Sequence, residues 1–460
     1  MTDSIIVTPD TSAPTFESLG LASPLVHATT LLGFTTPTHV QLKAIPAALK
    51  GGDWMVSAQT GSGKTAAFLL PVLQRLLAEG VAPATRAATP RAVVLCPTRE
   101  LAQQVTADAI DLMRGVSEAM RSDSKHHPLR DAARGLRIAT VVGGMPFGKQ
   151  LFDLRGAQLV VATPGRLLDL HARGQIVLDQ TQVLVVDEAD RMLDLGFAED
   201  LEAIHQATAR RSQTLMFSAT FAARIMALAA RVMRSPGRLE LASAHDVHAD
   251  ITQTLHWADN LSHKHKLLQH WLRDEDVDQA LVFASTQIDT EAIAESLQQA
   301  GYSAVALHGA MPQAVRNRRL QHVRDGQVRV LVATDVAARG LDVPSISHVI
   351  NFGLPMKAED YVHRIGRTGR AGRSGTAITI AEHRERGKIR AIEAFTRQPI
   401  ASSVIAGLEP TQQAARSAKP LPGQRHGQNR NARTGGGGYG RGAQPGGREG
   451  GSRFGSRDGR

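Results

Sequence analysis

The sequence predicts an α/β protein of two consecutive parallel-sheet domains followed by a disordered basic tail. Three observations carry this expectation. Short runs rich in Val, Ile and Leu recur along the chain, helix-length amphipathic stretches separate them, and the composition changes abruptly over the last fifty residues. Continuous apolar runs, as opposed to alternating ones, are what strands covered on both faces of a parallel sheet require.

The runs fall into two sets. Trp54 to Ser57, Val93 to Leu95, Leu159 to Val161, Val183 to Val186 and Leu215 to Phe217 form the first. Leu281 to Phe283, Val330 to Val332, Val349-Ile350 and Ile378 to Ile380 form the second. Between them lie Ser235-Pro236-Gly237 and a polar stretch from Ala242 to Asp250, which reads as the connection. The expected division is a first domain over 1–242, a linker over 243–250, a second domain over 251–408 and a tail over 409–460. The polar, charged stretch from Arg114 to Arg137 reads as a loop or a surface helix insertion.

The chain has 460 residues, too many for one ordinary core, and is 42% hydrophobic. Cys96 is the single cysteine, so no internal disulfide can form, which fits a reducing compartment. No apolar run approaches the ~18 residues of a membrane span. Asp3 and Asp10 stand where a secretory signal would have basic and apolar residues, so a cytoplasmic protein is expected. Net charge is +10. From Thr411 to Arg460 there are ten lysines and arginines against Glu449 and Asp458, so the tail holds most of the excess. Its Gly/Arg composition, with Gly435 to Gly438 in a row, cannot bury enough apolar surface to fold. Such a tail points to a polyanion partner or, on charge alone, to a solubility role.

The strand Trp54–Ser57 runs into Ala58-Gln59-Thr60-Gly61-Ser62-Gly63-Lys64-Thr65 and then a helical pattern through Leu77. This is close to a phosphate-binding loop, with Ala58 where the generic pattern has Gly. Gly61 and Gly63 let backbone N–H groups close around phosphate oxygens, and the helix start presents its positive end. Lys64 can neutralise β/γ-phosphate charge, and Thr65 can offer a hydroxyl to Mg²⁺. Val183 to Val186 ends in Asp187-Glu188-Ala189-Asp190. Beyond the carboxyl end of a parallel strand, Asp187 suits Mg²⁺ and Glu188 suits a water-activating base. Ser218-Ala219-Thr220 also follows a strand and, taken alone, reads equally as a helix N-cap.

Together these residues resemble the DEAD-box RNA helicase family, in its motif order and spacing, from Phe16 to Arg373. The flank and tail resemble bacterial members, in particular the RhlE-like group. The resemblance implies two tandem RecA-like domains, ATP and Mg²⁺ as cofactors, and RNA as partner. Gly33-Phe34 and Pro37 to Gln41 resemble the family's Q motif, which implies Gln41 on adenine and Phe16 packed on the base. Gln59, Thr60, Gly61, Ser62, Gly63, Lys64 and Thr65 would complete the nucleotide site, with Asp335 at the ribose. Pro97-Thr98-Arg99, Gly143-Gly144 and Thr163-Pro164-Gly165-Arg166 resemble RNA-contacting segments, as do Gln313, Arg316, Thr334 and Arg339 in the second domain. Ser218 and Thr220 would couple hydrolysis to strand separation through hydrogen bonding near Asp190. His363 to Arg370 carries four cations in eight positions if His363 is charged, and implies Arg367 and Arg370 as arginine fingers beside a catalytic His363.

The implied activity is RNA-stimulated ATP hydrolysis coupled to local duplex unwinding. An ATP-dependent RNA clamp or chaperone with little unwinding, a DNA helicase on the same architecture, and another P-loop enzyme are the alternatives. A monomer is expected, acting on structured RNA, with ribosomal precursors and RNA-decay machinery both compatible as partners.

Overall fold

The structure is a computed structural model that describes residues 14–58, 61–80, 87–122, 129–240, 251–338, 343, 345–369 and 374–411. Two seven-stranded sheets organise it. The first contains β1 (Trp54–Ser57), β2 (Ala92–Leu95), β3 (Arg137–Val141), β4 (Ala157–Ala162), β5 (Val183–Val186), β6 (Gln213–Ser218) and β7 (Gly237–Glu240). The second contains β8 (Ile251–Ala258), β9 (Gln279–Phe283), β10 (Ala304–Leu307), β11 (Val330–Ala333), β12 (Ile346–Asn351), β13 (Gly375–Glu382) and β14 (Ala401–Ser402). Every pairing is parallel. The first sheet runs β3-β4-β2-β5-β6-β1-β7; the second runs β10-β11-β9-β12-β13-β8-β14, the same order strand for strand. The expected two-domain α/β fold is therefore present twice over in one topology.

Side chains of the central strands divide between the two faces. Val56, Val185, Leu215 and Phe217 enter one core with Phe68 and Leu73 of the helix Lys64–Glu79. Met55, Leu184, Val186 and Met216 enter the opposite core with Leu167, Ile204 and Leu228. The second sheet alternates likewise, with Val282, Val330 and Val332 on one side and Leu281, Phe283 and Leu331 on the other. Both faces are covered by helices, which is why the strand sequences are apolar throughout.

The Arg114 to Arg137 stretch differs from expectation. Its first part closes the 24-residue helix Arg99–Ser122, and Val116 and Met120 are buried. Gly115 touches the helix Ser23–Leu31: a Cβ there would lie 2.8 Å from Ala28 Cβ. The short helix Arg130–Gly135 buries Ala132 and Ala133 against the same core. The stretch is thus a packed, amphipathic part of the first lobe; residues 123–128 lie outside the described residues. The expected linker over 243–250 and tail beyond 411 also lie outside them. Ser235-Pro236-Gly237 leads into β7, so it belongs to the first lobe.

Asp53 stitches the far edge of this sheet. Its carboxylate accepts from Thr214 N–H and Arg234 N–H, both at 2.6 Å, and its carbonyl accepts from Gly237 N–H at 2.9 Å. Hydrogen bonds to a buried charged group are worth roughly 1.5–3 kcal/mol each. Asp53→Ala is expected to destabilise the first lobe by about 3 kcal/mol or more. Urea unfolding followed by tryptophan fluorescence reads this, and a shift below ~0.5 kcal/mol would show that Asp53 does not hold the edge.

Candidate active site

The carboxyl ends of the first sheet divide into two halves. β1, β6 and β5 lie side by side, so the loop after β1, Ser218 and Asp187 are neighbours. Ala58 N–H continues the ladder by donating to Ser218 O at 2.9 Å, and Asp187 N–H donates to Leu95 O at 3.0 Å. On the other half, β2, β4 and β3 place Pro97, Thr163 and Gly143 in a row. Cys96 N–H to Ala162 O and Thr163 N–H to Val141 O fasten that row at 2.8 and 3.0 Å.

Gly61 and Gly63 have φ of +85° and +88°, the left-handed region that glycine enters without penalty. Gly63 has a second constraint: a Cβ there would come within 2.6 Å of Gln41 Nε2. Gln41 is 4% exposed and both ends of its amide are engaged. Its Oε1 accepts from Thr38 N–H at 2.9 Å, closing a capping box, and its Nε2 donates to Gly63 O at 3.1 Å. In this conformation Gln41 braces the loop. Phe16 is likewise inside the first core at 3% exposure, and its ring is not presented at an open face. Ser62 and Thr65 are half-buried, while Gln59 and Thr60 lie outside the described residues.

Lys64 leaves the first turn of its helix and points at two acids. Its Nζ is 3.4 Å from Asp187 Oδ1 and 3.8 Å from Glu188 Oε1, all three residues being buried. Glu188 has φ +51°, a left-handed conformation that costs a non-glycine residue about 1–2 kcal/mol. It sits at the head of the helix Ala189–Asp194, and its N–H donates to Asp187 Oδ1 at 2.9 Å. The kink lets consecutive carboxylates face one cation. Burial pushes the Asp187 carboxyl up, with Lys64 opposing and Glu188 reinforcing. Burial acts on Glu188 in the same sense, but Lys64 and Arg367 together bring it below its ordinary value. Burial would lower Lys64; the three acids Asp187, Glu188 and Asp190 raise it instead.

The second lobe supplies the facing cations. His363 Nε2 is 3.6 Å from Asp190 Oδ2. Burial raises the Asp190 carboxyl, yet contact with His363 and the charges of Arg191 and Lys64 carry it well below the usual carboxylate range. Arg367 is 5% exposed and acts electrostatically on Glu188. Arg364, beside it, does something else. It donates to both Asp335 oxygens at 2.6 and 2.7 Å, to Asn351 Oδ1 at 3.1 Å and to Gly353 O, over the Phe283 ring. Asp335 is therefore committed to Arg364 here. Arg370 and Arg339 lie outside the described residues.

Two placements in this structure bear on the expected roles. Ser218 Oγ and Asp190 Oδ1 are both buried without a hydrogen-bond partner, and the other Asp190 oxygen, Oδ2, lies 3.6 Å from His363 Nε2. Gln313 and Arg316 do not face an open surface. Arg316 donates to Glu100 Oε1 at 2.6 Å and to Ala337 O at 2.8 Å, and Gln313 bridges Arg99 at 3.0 Å and Glu100 at 3.2 Å. They clasp the lobes through Glu100, which is buried beneath them. Arg99 lies across Gly143-Gly144, where a Cβ on Gly144 would meet its guanidinium at 2.3 Å. Thr163 and Pro164 occupy the N-cap and first positions of the helix Pro164–Ala172, Gly165 lies near Asp200, and Arg166 is 3.8 Å from Asp169. Pro97 is buried; Thr98 and Thr334 are half-buried.

A further inter-lobe cluster has no counterpart in the sequence reading. Arg191 pairs with Asp360, and Asp194 meets Lys357 at 2.7 Å together with Arg224, which also reaches Glu359 at 3.1 Å. Charged residues three or four apart in Asp190-Arg191-Asp194 and three apart in Lys357 to Asp360 were the available signal.

The sequence matches the model of the DEAD/DEAH box helicases over residues 38–228 and that of the helicase conserved C-terminal domain over residues 263–372. It is 39% identical to the ATP-dependent RNA helicase SrmB of Haemophilus influenzae over 86% of either chain. This chain belongs to the DEAD-box helicase family. The family member DeaD of Escherichia coli K12 is 44% identical over 82% of this chain but only 56% of its own length, so the chain spans about half of that relative. Among solved DEAD-box structures, Saccharomyces cerevisiae Dbp5 bound to RNA and ADP BeF3 superposes with a TM-score of 0.73 at 29% identity, covering 85% of this chain and 96% of that one.

Removing the Arg316 side chain would leave Glu100 without its cation, and water could reach it only if the lobes part. Arg316→Ala is therefore expected to raise the radius of gyration in small-angle X-ray scattering. A profile superimposable on the unsubstituted protein would show that this pair does not hold the lobes.

Proposed function

We propose that this protein is an ATP-dependent RNA helicase that couples RNA-stimulated ATP hydrolysis to local strand separation. One observation carries the reading: Lys64, Asp187 and Glu188 of the first lobe face Arg367 and His363 of the second across a buried junction. Neither lobe holds the full set.

The roles follow from chemistry. Lys64 and the N–H groups of the loop receive the β- and γ-phosphates. Asp187 and Thr65 offer hard oxygen donors from two elements. Among the described residues no group of three or more His, Cys, Asp or Glu side chains is arranged to hold a metal ion on its own. That donor set suits Mg²⁺, which binds through one carboxylate together with phosphate oxygens and water. Mg²⁺ when bound neutralises developing phosphate charge. Glu188, held ionised by Lys64 and Arg367, orients and deprotonates the attacking water. Arg367 and Arg370 stabilise the transferred phosphoryl group, with His363 keeping Asp190 in register. Gln41 selects adenine, with Phe16 behind it in the core: the N6 amino group and N7 of adenine would compete for the Gln41 contacts to Thr38 and Gly63, so base binding reaches the phosphate loop directly. Asp335 shares Arg364 with the ribose.

RNA lies along the other half of the cleft, on Pro97, Thr98, Arg99, Gly143, Gly144, Thr163, Pro164, Gly165 and Arg166, with Gln313, Arg316, Thr334 and Arg339 opposite. These are backbone amides, hydroxyls and guanidiniums, groups that grip phosphate and sugar with little base preference. Contacts to the 2′-OH would favour RNA over DNA. ATP and RNA each complete the same closed arrangement, so each strengthens the other. Ser218, Thr220 and Asp190 link the halves. The likeness to the Dbp5 chain solved with RNA and ADP BeF3 supports a closed two-lobe state. We assign 1–242 to an ATP-binding domain, 243–250 to a linker, 251–408 to a C-terminal helicase domain and 409–460 to a basic RNA-gripping tail. A cytoplasmic location agrees with the single, buried Cys96 and with the absence, among the described residues, of a helix able to cross a membrane.

Glu188→Gln is expected to retain ATP and RNA binding while slowing turnover by roughly 10²–10⁴. Arg367→Ala should cost about 10³ or more in RNA-stimulated phosphate release. The reading fails if phosphate release is the same with and without RNA and survives Arg367→Ala. Truncation after Leu408 should weaken RNA binding most at low salt, since the tail contacts are ionic; equal affinity in 50 mM-class and physiological salt for both chains, measured by fluorescence anisotropy, would remove the tail from RNA binding.

A further inference from the structure

The helix Phe147–Leu154 leaves the Gly143-Gly144 turn directly and is fixed to it. Gln150, buried at 1% exposure, accepts from Val142 N–H at 3.0 Å and donates to Met145 O at 3.1 Å. Phe147, at the head of the helix, packs under the Arg173 guanidinium at 5.3 Å, next to the end of Pro164–Ala172. The helix is therefore a rigid continuation of the surface formed beyond β2, β4 and β3.

Its outer face combines an open ring with cations. Phe152 is 69% exposed. Lys149 lies three positions before it, a neighbour on the helix surface. The Arg155 guanidinium lies 6.0 Å from the Phe152 ring centroid, and Arg137, also exposed, donates to Arg155 O at 3.0 Å. Asp153 is the one acid of the helix Phe147–Leu154, so Lys149, Arg155 and Arg137 give this side of the lobe an excess of positive charge near the ring. An apolar protein-docking patch would be contiguous. A single ring set among cations suits a stacked base whose flanking phosphates need counter-charges.

We propose that Phe152, with Lys149, Arg155 and Arg137, forms an additional subsite for single-stranded RNA. A base of the strand passing the Gly143-Gly144 turn stacks on Phe152, and the neighbouring phosphates meet the three cations. The subsite rests on the RNA-helicase reading above and extends it: the footprint on RNA reaches outside the inter-lobe cleft, without sequence preference.

The full chain is titrated by fluorescence anisotropy with oligouridylates lengthened from about 4 to about 16 nucleotides, with a non-hydrolysable ATP analogue present. The shortest oligomer that binds is each variant's own reference. The unsubstituted protein should gain affinity with length beyond the cleft. Phe152→Ala should lose about 5- to 100-fold of that gain, whereas Phe152→Trp should keep it. Replacing Lys149 and Arg155 together by Ala should reduce the salt slope for long oligomers by about 1.4. Identical length dependence and salt slope in all variants would overturn the subsite and leave the face to solvent or to a protein partner. If the unsubstituted protein binds no oligouridylate of any length, the helicase reading itself falls together with the subsite.

Discussion

Everything in this molecule turns on the cation that stands between two adjacent, almost dry carboxylates. Asp187 and Glu188 follow β5 with 1% and 6% exposure, and like charges so close in a low dielectric drive one of them neutral unless an opposite charge is near. Lys64 is that charge, 3.4 and 3.8 Å away, on the helix that the phosphate-binding loop begins. The left-handed backbone at Glu188 is the local strain that makes the arrangement possible. Arg367 then completes it from the second lobe, which is why the acid pair is electrostatically unfinished in either lobe alone.

The surface where the lobes meet has the same character. Glu100 with Arg316, Arg191 with Asp360, Asp194 with Lys357 and Arg224 with Glu359 are all charged pairs. An apolar interface of this extent would hold the lobes shut. Ion pairs lose little when they open, because water replaces what the partner supplied, and their net worth is small or even unfavourable. Closure is then decided by what bound ligands add, which is the condition for a cleft that opens and closes in a cycle. The two sheets share one strand order, so each presents its loops at the carboxyl ends of corresponding strands, and facing those ends makes one composite site.

Most of the parts of the fold invisible in the sequence lie at sheet edges. The strands that the apolar runs did not reveal are β3, β7, β10 and β14, the four sheet edges, together with β8 beside the edge strand β14; of these β10, Ala-Val-Ala-Leu, is apolar but only four residues long and rich in Ala. Edge strands have one hydrogen-bonding side free and carry residues such as Arg137, Thr140, Arg238 and Glu240. β8 reads Ile-Thr-Gln-Thr-Leu-His-Trp-Ala, and its polar members bond to the chain segment that covers it: His256 Nδ1 lies 2.8 Å from Ser403 O. The long helix Arg99–Ser122 was obscured for a related reason, since one buried stripe among charges looks polar on average.

The sequence by itself determined the two α/β lobes, the glycine-rich turn after β1 and the charged groups that follow the strands, because backbone propensity, burial pattern and glycine placement are local properties. It did not determine which charge meets which. His363, Arg364 and Arg367 lie within five positions, yet they go to Asp190, to Asp335 and toward Glu188 respectively. Gln313 and Arg316 turn inward to Glu100, and Gln41 to Gly63. Those pairings depend on how helices and strand ends from distant parts of the chain are brought within about 3–4 Å, and Coulomb and hydrogen-bond energies reward only the final distance, which no sequence spacing encodes.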